Sequence, residues 1–552
     1  LVPRAAIALA TLYRVDALSA GAQMRLALSE GQPAGSALEG CVGFDCVQRY
    51  IDAADGSYAW RELPEQRLTG TSGGIGWTGH VLTMTSQKWL SEKDTDHQTW
   101  THPIVVVVPD NLLQSSAKAK EWVTLVAGGA GSTTGMFAHG VDPSLRDVKT
   151  VVGLATRTGA ISALLLQVPN QAFAFGDDSE HKQRTEDEVK AYTWRHVLDH
   201  PSEAEWAIEM PNAKATVRAM DAVTEFLAGQ GPAIGRFALS GCSKRANAAM
   251  MACAHEARCE LLLPCAMTTD IAAHTKMAYR SYGQIPFAAH DYVDNGVFDR
   301  LDTPEFDRLG SLVNAQTYLS KLTVPKLWLS SNADDFFLAD HTRLFWQDLP
   351  SPKYLFVREN GRHAAFLAEF DADTADFLGP ASAFISAALL DEALPEIDWR
   401  FDEDSEELVV SHVSGPAPTK VTVWSGRTCA ASGRRDFRRM TLDTGFVCLA
   451  CGAPSGIFCD TRRTATWTSR PLSTAASTWR VSEPTPEKGW AGFYVAFEFA
   501  PPAPRRDPVE MTTEVFVVPR GRYPFGECSG ADCGAGGRLV LAQTHDPVGD
   551  GR

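Results

Sequence analysis

The chain has 552 residues and a formal net charge of −16, from 67 acidic and 51 basic side chains. With no long basic block, binding to nucleic acid or to an anionic membrane surface is disfavoured, and with no run of about eighteen apolar residues no membrane-spanning helix is expected. At this length a prior of about two to four domains applies, with ample material for a large core.

Residues 1–70 read as an irregular, Gly- and Ala-rich N-terminal segment. Leu1-Val-Pro-Arg4 matches a thrombin recognition sequence. Ala5–Tyr13 has the apolar character of the end of a signal peptide, with Ala20-Gly-Ala22 as a small-residue cleavage context. Residues 71–394 alternate strand and helix patterns, as a mostly parallel sheet with covering helices requires. His80–Met84, Ile104–Val108, Trp122–Ala127, Gly159–Gln167, Phe237–Ser240, Glu260–Pro264, Lys326–Ser330 and Lys353–Val357 read as a set of about eight strands. Past Pro395 the pattern changes to short alternating strands such as Glu407–Val410, Lys420–Trp424, Trp490–Glu498 and Thr513–Val518, separated by Pro and Gly turns. Residues 395–525 therefore read as a β-sandwich-like domain, and 526–552 as a flexible tail.

Several strand ends carry chemistry. Trp122–Ala127 runs into Gly128-Gly129-Ala130-Gly131-Ser132. Glycines let a backbone approach a substrate and turn its N–H groups inward, so Gly128, Gly129 and Ala130 are candidate oxyanion donors. A plain glycine turn is the alternative, and no Gly-Lys-Ser/Thr follows to make a phosphate loop. Glu186-Asp187-Glu188 reads as acidic charge at a helix N-terminus, with a substrate-amine anchor as the rival. The amphipathic segment Lys214–Ala228 precedes the next strand.

The stretch Phe237–Ala254 is the most informative. A short apolar strand ends at Ser240, Gly241-Cys242-Ser243 follows, and an alanine-rich helix begins. Such a turn holds a nucleophilic serine above a sheet edge, with the N–H of Lys244 as an oxyanion donor. A serine N-cap at an ordinary corner is the alternative, because Arg245 stands where Gly-x-Ser-x-Gly has its second glycine. Thr268–His274 and Tyr279–Gly283 follow a strand end, where a helical cap insertion over a cleft is expected. Further on, Lys326–Ser330 leads into Asp334-Asp335, and Lys353–Val357 into His363. Serine, acid and histidine thus occur in the required order, each just past a strand. Taken singly, the acids read as loop or cap carboxylates and His363 as an exposed turn residue.

An ordered set of short words runs over most of the chain: Tyr50–Trp60, Thr85–Trp89, Trp100–His102, Glu186–Trp194, Lys214–Asp221, Ser243-Lys244-Arg245, Asp334–Phe337, Asp436–Arg438 and Tyr523-Pro524. In this the chain resembles the PhoPQ-activated pathogenicity-related proteins, an α/β-hydrolase-like family that includes a secreted autocrine proliferation repressor. The resemblance implies Ser243, Asp334 and His363 as a triad. The family usually carries glycine and tryptophan where Ala246 and Asn247 stand here, and Asp-Pro where Asn314-Ala315 stand. Those departures bear on the pocket more than on the triad.

Twelve cysteines include the close pairs Cys41/Cys46, Cys253/Cys259 and Cys528/Cys533, which favours disulfides in an oxidising compartment. A four-cysteine zinc site at Cys429, Cys448, Cys451 and Cys459 is the rival. Cys242 is either free or bridged. The expectation is a secreted serine hydrolase acting by acyl transfer on an ester or amide of a small molecule or peptide, without metal or organic cofactor. The alternative is a secreted signalling or binding protein on a hydrolase scaffold.

Overall fold

The computed structural model describes residues 38–112, 116, 118–129, 133–229, 233–363, 377–430, 433–438, 449–450, 453–454, 465–501 and 507–534. Ala130, Cys448, Cys451, Cys459 and 535–552 lie outside them.

Ten strands form one mixed sheet: β1 (Ala59–Glu62), β2 (Leu68–Ser72), β3 (Ile75–Lys88), β4 (Thr99–Pro109), β5 (Trp122–Ala127), β6 (Ile161–Leu165), β7 (Arg236–Cys242), β8 (Cys259–Cys265), β9 (Lys326–Ser331) and β10 (Lys353–Arg358). Their order is β1-β3-β4-β6-β5-β7-β8-β9-β10, with β2 paired to β3. From β6 to β10 every pairing is parallel, and β4 joins antiparallel to β6. This is the sheet of an α/β hydrolase. The central strands are buried along almost their whole length because helices cover both faces, so they are largely apolar runs. The helices Glu209–Ala228 and Lys244–His255 pack on each other and on the sheet.

Each of the eight expected strand patterns corresponds to one of β3 to β10, though Gly159–Gln167 overruns β6 at both ends. The segment up to residue 70 differs from the expected irregular stretch. It holds a helix, Phe44–Asp52, and contributes β1 and β2 to the main sheet, where Trp60 pairs with Met84 and Gly70 with Trp77. The physical reason is a long, twisted β3 whose exposed edge needs partners.

After the helix Leu378–Leu389 the strands are antiparallel and form separate sheets. One has three strands, Glu396–Asp402, Glu407–Ser414 and Thr478–Val481. A second has five, with Lys420–Arg427 and Ala491–Phe499 at its centre, and Leu449–Ala450 pairs with Ala453–Pro454 in a short third. Val410, Val423, Trp479, Phe493 and Phe497 share one core between them. Thr478–Val481 alternates exposed and buried positions, as one-sided antiparallel strands do. The start of the expected tail is fastened: Cys528 is bridged to Cys533, and Phe525 lies over Gly283, where even a methyl group would clash.

Candidate active site

Strands β7, β9 and β10 deliver Ser243, Asp334 and His363 past their C-terminal ends, at one edge of the sheet. Ser243 sits between β7 and the helix Lys244–His255 with φ 56° and ψ −129°. A serine rarely adopts positive φ, so the neighbourhood has to hold it there. Here the enforcement is visible. Cys242 is bridged to Cys265 at the end of β8, and the Ser243 N–H donates to Cys265 O at 2.8 Å. Gly241 has no room for a side chain, because a Cβ would lie 2.5 Å from the Arg245 carbonyl oxygen.

Arg245, in the position of the missing glycine, is accommodated across the turn by Gly129. A Cβ there would lie 1.6 Å from the guanidinium. Arg245 Nη2 and Lys244 Nζ both reach Glu186, at 2.6 and 2.8 Å. Lys244 Nζ also donates to Asp187 at 3.1 Å, and Tyr292 OH to the same carboxylate at 3.0 Å. Burial opposes the charges of Glu186 and Asp187, but the paired bases hold both pKa values below the ordinary carboxylate range, Glu186 at about 2. Lys244 is therefore a buried ion-pair partner. The acid pair is neutralised by its own protein, which removes the substrate-amine anchor reading. This network was not legible as a site in the sequence; its only trace was the acidic helix start at Glu186.

Of the two adjacent acids, Asp334 faces the histidine. His363 Nδ1 lies 2.9 Å from both Asp334 oxygens. Asp334 Oδ1 also accepts the N–H groups of Phe336 and Phe337, at 2.7 and 3.1 Å. Burial raises the Asp334 pKa, but His363 and these donors outweigh it and hold the carboxyl below its usual range. Asp335 pairs with Arg362 at 3.0 Å instead. Burial also opposes charge on His363, yet Asp334, then Asp335 and Asp187, keep its pKa above the ordinary value. The hydrogen bonds of the described residues do not include one between Ser243 Oγ and His363, so that link is open in this conformation.

The expected oxyanion donors need correction. The Gly128 N–H donates to Leu165 O at 2.8 Å, continuing the β5–β6 ladder, and the Gly129 N–H donates to Asp147 Oδ2 at 3.1 Å. Neither is free for an oxyanion here. No hydrogen bond among the described residues uses the Lys244 N–H, which opens its helix and has no partner four residues back.

Two asparagines that sequence reasoning passed over tie the acid and histidine loops together. Asn332 Oδ1 accepts the Asn360 N–H at 2.7 Å, and the Ala333 N–H donates to Gly361 O at 3.2 Å. Asn360 Nδ2 donates to Trp467 O and its Oδ1 accepts the Trp467 N–H, both at 3.0 Å.

A cleft of about 620 Å³, its mouth included, opens beside Ser243. Its walls come from the helix Glu186–Asp199, the helical insertion after β8 and the acid loop. No group of three or more His, Cys, Asp or Glu able to hold a metal ion occurs among the described residues. Every described cysteine is bridged: Cys41–Cys46, Cys242–Cys265, Cys253–Cys259, Cys528–Cys533, and Cys429, whose partner lies outside the described residues. A bridged Cys429 leaves no thiolate there for the zinc site held as a rival. No helix among the described residues is long and apolar enough to cross a membrane.

A profile of the family described as PhoPQ-activated pathogenicity-related protein matches residues 47–438. Autocrine proliferation repressor protein A of Dictyostelium discoideum is 30% identical over 505 residues, which are 88% of this chain and 93% of the relative. Among solved structures, acetyl xylan esterase 1 from Thermoanaerobacterium sp. JW/SL YS485 is 13% identical, covering 62% of this chain and 96% of its own, with a TM-score of 0.36. Est1E from Butyrivibrio proteoclasticus is 11% identical, covering 59% and 98%, with a TM-score of 0.28.

Proposed function

The chain belongs to the PhoPQ-activated pathogenicity-related protein family, and from that premise we propose that it is a serine hydrolase cleaving an ester or amide by acyl transfer. The observation that carries the reading is the His363 Nδ1–Asp334 pair at 2.9 Å, at the same sheet edge as a strained Ser243 turn. In this mechanism His363, held in one tautomer by Asp334, takes the Ser243 proton as Oγ attacks the carbonyl. It then returns the proton to the leaving group, and water repeats the cycle on the acyl-enzyme. The Lys244 N–H stabilises the oxyanion, aided by the partial positive charge of its helix start. The open Ser243–His363 link closes on substrate binding, as catalytic hydrogen bonds often tighten only in the complex. The bridged cysteines support a secreted, oxidising location.

A fluorophosphonate probe tests the reading. Covalent labelling of Ser243, absent in Ser243→Ala, is the expected result. A folded protein that stays unlabelled would sink it. Two observations favour a second reading, a secreted binding protein on the hydrolase scaffold. The Gly128 and Gly129 N–H groups are engaged inside the protein, and the relative's name describes an autocrine repressor.

A further inference from the structure

The cleft beside Ser243 has a composition that selects its occupant. Its walls include Ile271, Ala278, Ile285, Phe298, Phe336 and Phe337. Three charged side chains reach it, Asp187, Lys190 and Lys244, and each already has an internal partner. Asp187 and Glu186 hold Lys244. Lys190 Nζ lies 3.2 Å from Glu209 Oε1, and Trp194 Nε1 donates to the same carboxylate at 3.1 Å. His274 is buried and its pKa is depressed to about 3, so the ring is neutral, and it accepts the Leu338 N–H at 3.4 Å. A charged substrate group entering here would lose its water and find no free counter-charge, which is unfavourable. An apolar group would gain from burial against the aromatic and aliphatic walls.

We propose that this cleft binds an uncharged, apolar acyl group of the substrate, several carbons long or aromatic, with its carbonyl presented to Ser243. The inference rests on the serine hydrolase reading. It adds the substrate class: esters or amides of neutral apolar acids, as distinct from acetyl groups or from amino-acid and dicarboxylic acyl groups. Recognition is by area removed from water. Each methylene buried is expected to raise kcat/KM by roughly fourfold until the cleft is filled.

The full-length chain would be assayed on p-nitrophenyl esters from acetate to octanoate and on the half-ester of a six-carbon dicarboxylic acid. Expected is a kcat/KM that rises with acyl length from acetate to hexanoate, and a charged analogue slower than hexanoate by about a hundredfold or more. Ala289→Trp, at a partly exposed position on the wall, should lower the hexanoate-to-acetate ratio by about tenfold or more. Should that variant fail to fold, Ile271→Asp reports on the same wall by placing an unpaired charge in it, with the same expected fall in the ratio. A flat or falling chain-length profile in an enzyme that labels at Ser243 overturns the inference and leaves the hydrolase reading standing. So does a ratio unmoved by a folded wall variant. Failure of Ser243 to label with any probe overturns both.

Discussion

His363 carries the sharpest residue-scale consequence of the geometry. Burial disfavours its charge, but the carboxylates of Asp334, Asp335 and Asp187 prevail, and its pKa lies above the ordinary value of about 6.5. As the proposed general base it must be neutral. Activity should therefore fall as pH drops, with a midpoint above about 6.5 in the pH profile of kcat/KM. Stability moves the opposite way. A histidine whose pKa is raised on folding contributes stability that is fully present below about 6.5 and is lost as pH rises through the folded value. Activity and this share of stability thus trade off in the window just above neutrality. His363→Ala should reduce kcat by about a thousandfold or more, since triad members act as a unit. Asp334→Asn should be severe while leaving the circular dichroism spectrum unchanged, because the acid's task is orientation. Variants with near-parental turnover would mark the constellation as a remnant.

At the scale of elements, the loops after β9 and β10 are joined twice, by Asn332 with Asn360 and by Ala333 with Gly361, just before they present Asp334 and His363. Asn360 has φ 54°, a left-handed conformation that asparagine tolerates better than most residues. Its amide is clamped from outside by the Trp467 backbone. Asn360→Ala should release the histidine loop and lower kcat by about a hundredfold, with KM changed less than about twofold. Asn360→Gly keeps the backbone freedom without the clamp, so a matching loss in both variants assigns the effect to the bonds, whereas full activity in Asn360→Gly would assign it to φ alone. The same scale explains which elements were legible. The central strands are buried on both faces and are therefore largely apolar runs. β1, β2, Glu396–Asp402 and Thr468–Leu472 are largely exposed edge strands with no such run, and they escaped notice.

Across the whole molecule, the C-terminal region is wired into the hydrolase sheet. Arg435 forms a buried two-point ion pair with Asp340, at 3.0 and 2.5 Å, a few residues past the acid loop. Tyr494 OH donates to Val357 O at 3.4 Å beneath the histidine loop. Burial raises the Asp340 pKa, but Arg435 outweighs it and holds the carboxyl below its usual value. That pairing contributes stability above a pH of about 3.9, lost as pH falls through the depressed folded value. Arg435→Leu strands a buried carboxylate and should cost about 3–5 kcal/mol, read as a lower Tm that partly recovers on mild acidification. An unchanged Tm would show that water reaches Asp340. Of the twelve cysteines, all nine among the described residues are bridged, and Cys429 pairs with one of the three outside them, which makes at least ten in bridges. At most two thiols should therefore react under denaturing, non-reducing conditions, and a larger count would count against the oxidising compartment.

The sequence by itself determined the central strands, the serine–acid–histidine succession and the local cysteine pairs Cys41–Cys46, Cys253–Cys259 and Cys528–Cys533. Each of these depends on neighbours within a few residues or on a largely apolar run, and both are visible along the chain. Only the tertiary structure decided that Lys244 and Arg245 are bound to Glu186, that Cys242 is tied to Cys265, and that the Gly128 and Gly129 N–H groups are occupied. Those outcomes depend on which groups from separate strands are brought within about 3 Å of one another. Sheet register and burial set that proximity, and residue identity along the chain does not carry it.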